Sequence, residues 1–192
     1  EWPAGFNTQG QDYNTVFGDV NGFYATGHNP LALVANLRWT RLFVGVGDGT
    51  PASPDDVDNF FGQVAERELR AQADEFVPAA RAAGASVVYD KRPGVHDWPY
   101  WRQYLRDALA WGFFKPVVWH PRTWTFKTVM RRSAAWGFSF SFASAPGEVE
   151  TFSFAGGRLS ARGSGRVSVR GPGRCRLVAT LPFTGRTCKR HG

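Results

Sequence analysis

The apolar pattern of this 192-residue chain changes period once, near Lys115-Pro116, and that change limits the folds open to it. Before it, apolar runs bounded by glycine alternate with stretches whose apolar residues recur at helical spacing; after it, short segments alternate apolar and polar residues. Strands buried on both faces read as the first kind, and strands with one wet face as the second. Two architectures therefore follow one another, and a domain of residues 1–114 precedes one of 115–192. Charge divides at the same place: residues 1–114 hold 9 Lys and Arg against 14 Asp and Glu, whereas 115–192 hold 14 against 2. The basic half invites an anionic partner such as an envelope polymer, although arginines spread over several strands and turns also serve as a solubilising face.

Residues 1–28 are rich in Gly, Asn, Asp and Thr, with isolated aromatics from Trp2 to Tyr24, and read as a long covering loop. Asn29 and Pro30 open a helix in which Leu31, Val34 and Leu37 share a face and which ends near Arg38. Arg41 to Gly47 is a nearly continuous apolar run, as in a strand of a parallel sheet. Ser53, Pro54, Asp55 and Asp56 form a cap, a first-position proline and two acids, and predict one long helix running to Gly84. Ala85 to Tyr89 supplies a second strand. A glycine-containing loop with His96 follows, then a helix with Trp101, Leu105, Ala108 and Leu109 on its core face.

This order predicts an α/β fold with crossover helices. Two strands are too few for a parallel sheet covered on both faces, so the pattern predicts a missing half. Beyond Lys115, six alternating segments between Trp124 and Leu181 predict a small antiparallel sandwich, with Trp136, Phe138, Phe140 and Phe142 on one face of their strand. Cys175 and Cys188 read either as a disulfide or as two thiols, and a zinc site is not expected, because Cys188 and His191 have no second close pair. No apolar run approaches the ~20 residues that cross a bilayer. The chain begins Glu1-Trp-Pro with its sole methionine at Met130, and reads as a mature chain, a processed product or a fragment.

The best lead to chemistry is His96, set between a strand and a helix as catalytic bases of strand-loop-helix hydrolases are. Gly18-Asp19, His28-Asn29-Pro30, Gly47-Asp-Gly-Thr-Pro51 and Gly94-Val-His-Asp-Trp-Pro-Tyr-Trp101 lie within Val16 to Phe113, about half the chain. On these motifs that segment resembles the C-terminal half of the esterase family that includes the mycobacterial antigen 85 mycolyltransferases. The resemblance implies the C-terminal part of an α/β-hydrolase layered parallel sheet, followed here by a small all-β domain outside the family pattern. It also implies a secreted or cell-envelope enzyme with a Ser, Glu or Asp, His triad and no metal or organic cofactor.

Carried over by position, His96 matches the family's catalytic histidine. Aligning Arg70, Phe76 and Ala82-Ala83-Gly84 puts Glu66 on its acid, with Asp48 the competitor from the turn after the strand. Either would accept the imidazole N–H and stabilise the imidazolium. Trp98 and the loop before His28 would shape the substrate pocket. The chain contains no Gly-x-Ser-x-Gly: Ser53 opens a helix, Ser86 sits in a strand, and Ser164 lies in Gly163-Ser-Gly165 with the wrong frame and in the β-rich half. The expectation is therefore an esterase or acyltransferase portion that supplies histidine and acid, with the serine on an N-terminal half or partner chain. The alternative is a catalytically inactive module that binds an envelope polymer.

Overall fold

A computed structural model describes residues 13–116, 121–172 and 176–187. Cys175, Cys188 and His191 lie outside the described residues. The chain forms two compact units, one built from residues 39–116 and the other from 13–38 with 121–187.

In the first unit, β1 (Arg41–Val46) and β2 (Ser86–Lys91) pair in parallel, with Arg41 opposite Ser86 and Val46 opposite Lys91. The connection is α3 (Phe60–Ala82), and α4 (Trp98–Trp111) follows β2. Asn59 opens α3 by accepting the Gly62 N–H, while Asp97 opens α4 by accepting the Trp98 N–H. Gly112 closes α4 in the left-handed conformation, with φ 89°, which glycine adopts without a Cβ penalty. Gly45 lets the Tyr104 ring lie against β1, where any Cβ would overlap it.

The second unit opens with the short helices α1 (Tyr13–Phe17) and α2 (Phe23–Thr26). Residues 13–38 join this unit through hydrogen bonds that the Asn36 side chain exchanges with the Lys127 backbone, at 2.8 and 2.7 Å. Two four-stranded antiparallel sheets complete it. One runs β10 (Phe183–Thr187), β7 (Arg158–Arg162), β6 (Glu150–Ala155), β3 (Thr123–Thr128). The other runs β4 (Arg132–Ala135), β5 (Phe138–Phe142), β8 (Arg166–Arg170), β9 (Arg176–Thr180). Residues of both sheets share one core of Trp124, Phe138, Phe140, Phe152, Leu159 and Val167 with their neighbours. The Phe140 and Phe152 ring centroids are 4.2 Å apart.

The expectation of an α/β-hydrolase layered parallel sheet is overturned. Among the described residues the parallel element is only the two-stranded β1-β2 pair, and the other strands are antiparallel. After α4, strands β5, β7 and β8 bury alternate residues, so each has one wet face and cannot be the doubly covered strand of a layered sheet. Several local expectations change too. The helix placed at residues 30–38 is turns and one 3-10 turn at Val34–Leu37. The single helix from Ser53 is split: Ser53 caps a 3-10 turn at Pro54–Asp56, and Asn59 starts α3 afresh. Trp136 lies outside β5, in the turn before it, with φ 53°.

Glu150, at the start of β6, is fully buried, and its carboxylate accepts the Ser164 N–H at 3.1 Å. Gly163 has φ +127°, and a Cβ there would overlap Glu150 Oε2. Burial pushes the Glu150 carboxyl up to about 7; the Ser164 N–H works against that rise and the Glu148 charge adds to it. A carboxyl raised on folding from 4.5 to about 7 keeps its proton over a pH range in which the unfolded chain has lost it. Stability therefore falls as pH rises through that window, by on the order of 3 kcal/mol. Urea midpoints measured between pH 4.5 and pH 8 should show this decline, and Glu150→Gln should flatten it.

Candidate functional site

His96 stands immediately before the cap of α4, and α3 holds it twice. Its backbone N–H donates to Gly62 O at 3.1 Å, while its ring Nδ1 lies 2.9 Å from Glu66 Oε2. Gly62 and Glu66 are four residues apart on the helix, so one helical face fixes both the backbone and the ring of the histidine. The second carboxylate oxygen of Glu66 accepts the Gly47 N–H at 2.6 Å, just beyond β1. Glu66 is thus clamped between a strand end and the imidazole, with its side chain 6% exposed, whereas that of His96 is 34% exposed.

An ionised carboxylate only accepts hydrogen bonds, so in the neutral imidazole this contact sets the ring proton on Nδ1 and the lone pair on Nε2. No described side chain hydrogen-bonds to Nε2. The Trp101 ring meets the His96 ring edge-on at 4.7 Å, and Trp98 meets Trp101 at 4.9 Å. Trp98 is 66% exposed and extends this aromatic tier into solvent.

Asp48 is placed differently. Its carboxylate accepts the Thr50 N–H at 2.8 Å and shapes the turn after β1. Burial opposes its charge, but the hydrogen bonds from Thr50 and Gly94 hold its carboxyl below the usual range. The structure brings Glu66 to His96 and leaves Asp48 in the turn. The turn is also tied to the His96 loop, since Gly49 N–H donates to Gly94 O at 2.9 Å.

Two further contacts position the loop. Asp56 is buried and accepts from Ala52 N–H, Ser53 N–H and the Tyr100 hydroxyl. Burial and the Asp56 carboxylate push the Tyr100 hydroxyl up to about 12, so it remains a donor at neutral pH. Asp56 thereby joins the segment after β1 to the first turn of α4. The sequence motifs include Gly47 and Asp56 but give no sign of the Gly47 contact with Glu66 or of the Asp56–Tyr100 pair. Tyr100 lies inside the His-x-Trp-x-Tyr-Trp run, which was its only signal.

The chain is similar to an acetyl esterase. That protein, from Caldicellulosiruptor saccharolyticus, is 26% identical over 106 residues, which cover 52% of this chain and 33% of the relative. The chain thus spans about a third of the length of this curated relative. No family model matches the chain, and no solved structure matches it.

Gly47 offers a direct test of the clamp. A Cβ at this position would overlap Gly94 O and sit 2.9 Å from Glu66 Cγ, so neither the loop nor the carboxylate could keep its place. Gly47→Ala should destabilise the first unit by about 1–3 kcal/mol. Hydrogen exchange at the β1 and β2 amides should read the loss, and the ring nitrogen shifts of His96 should move toward those of a free imidazole.

Proposed function

We propose that this chain supplies the general base and its orienting acid to a site that cleaves carboxylic esters. The observation that carries this is the clamp on Glu66, which leaves His96 Nε2 as the free base. Similarity to an acetyl esterase supports the substrate class. The sequence has no Gly-x-Ser-x-Gly, and the relative is about three times as long as the matched portion, so the nucleophilic serine is assigned to a polypeptide segment outside this chain. The antigen 85 resemblance of the His96 motif favours the same order of parts, with serine ahead of acid and histidine.

In this mechanism Nε2 takes the proton of the serine hydroxyl as its oxygen attacks the ester carbonyl. Glu66 stabilises the imidazolium so formed and keeps the ring in register. The imidazolium then gives that proton to the departing alkoxide, and the acyl group stays on the serine. Water or an alcohol, deprotonated in turn by Nε2, attacks the acyl carbon, and the imidazolium returns the proton to the departing serine oxygen, which restores hydroxyl and base. Trp98 and Trp101 form the apolar wall against which an acyl or alcohol group would rest.

Hydrolysis of p-nitrophenyl acetate by the native protein, purified without denaturation, tests the proposal. Loss of about ten-thousandfold in kcat for His96→Ala is expected. A rate unchanged by that substitution contradicts it.

A further inference from the structure

The outer face of the β4-β5-β8-β9 sheet carries a pattern for which ester cleavage has no use. The strand register places Arg170 beside Arg176 in one cross-strand row, and the same face carries Arg132 and Arg166. All four arginines are exposed, and none forms an ion pair with a described acid. The only acids after Lys115 are Glu148 and Glu150, and Glu150 is buried in the core. Like charges opposite one another weaken a sheet, so the Arg170–Arg176 pair costs stability in the free protein.

Between the arginines runs a lane of hydroxyls. Ser139 stands beside Arg170, while Ser141 lies between Arg132 and Ser168 in the neighbouring row. Neighbouring strands are ~4.8 Å apart and same-face residues along a strand ~7 Å apart, so an extended polymer lying across the sheet would meet several guanidinium groups. Guanidinium forks match carboxylates in a bidentate manner, and serine hydroxyls both donate and accept.

We propose that this face binds an acidic polysaccharide. Its carboxylates would neutralise the arginine rows, and its sugar hydroxyls would bond the serine lane. The strands place no aromatic side chain on this face, which removes the stacking platform that single-stranded nucleic acid uses. Ala134 and Val178 are its apolar members, too little for the core of a protein interface. This inference rests on the β strands alone and stands apart from the esterase proposal.

The test uses polygalacturonate as probe and the full chain, by isothermal titration at low salt, with dextran and duplex DNA as comparators. Arg170→Gln with Arg176→Gln should weaken polygalacturonate binding about tenfold. Arg102→Gln with Arg106→Gln on α4 removes the same charge and should change binding less than about twofold. Binding should fall as salt rises, and dextran should not bind. Equal weakening by the two double variants, absence of polygalacturonate binding, or tighter binding of duplex DNA would overturn the proposal.

Discussion

Glu66→Gln is expected to lower kcat for ester hydrolysis about a thousand- to ten-thousandfold, with KM nearly unchanged. The substitution keeps the shape of the side chain, and its amide oxygen can still accept the Gly47 N–H. The amide nitrogen then faces His96 Nδ1 and can only donate. The ring proton must move to Nε2, where it blocks the lone pair that takes the proton of the nucleophile. Binding contacts to the ester are untouched, so the loss falls on kcat. The nitrogen-15 shifts of His96 should report the exchange of tautomers in this chain even without substrate. Asp48→Asn is the control: the amide oxygen can replace the carboxylate at Thr50 N–H, and activity should stay within about threefold. Equal losses from the two substitutions would remove the distinction between the two acids.

The largest effect on stability is expected at Phe152. It is fully buried, and its ring lies 4.2 Å from that of Phe140 and 6.1 Å from that of Phe142, so it bridges the two sheets. Phe152→Ala removes the ring from the middle of a rigid aromatic cluster that cannot close around the space. The expected cost is about 3–5 kcal/mol, combining lost transfer energy with the cavity left behind. Urea unfolding followed by near-ultraviolet circular dichroism should show the lower midpoint. Val178→Ala, at a residue 44% exposed on the outer face, should stay within about 0.5 kcal/mol.

What could be read before folding was local. The apolar run from Arg41 to Gly47 and the segment from Ala85 to Tyr89 announced the parallel pair, and the alternating row from Trp136 to Phe142 announced a strand with one buried face, of which Trp136 falls in the turn before it. The layered sheet was not there to be read. Helix and strand periods describe each element, whereas the number of strands that gather beside β1 is decided by tertiary packing. Ser53 shows a second limit. Its cap signal is present, yet Asn59 offers another six residues later, and the helix restarts there because its side chain meets the Gly62 N–H. Strands β4 and β10 escaped notice because Arg132–Ala135 and Phe183–Thr187 lack a clear alternating row of large apolar residues.

The site was legible to a similar degree. His96 is marked by its position between strand and helix. Glu66 lies 30 residues away in sequence, and no local period records that the crossover helix carries it back to the histidine loop. The role of Gly47 was hidden for a simpler reason: its contribution is a backbone N–H, which every residue but proline possesses. Only the folded chain shows that a Cβ there would push Glu66 aside.

A serine-directed fluorophosphonate, applied to the native protein and followed by denaturing intact mass measurement, asks most directly whether this chain serves a serine-dependent esterase. The expected result is one labelled serine on a polypeptide segment that continues this chain or remains bound to it, with labelling abolished in His96→Ala. A chain that is alone, compact and unlabelled, or labelling that proceeds equally well without His96, would contradict it.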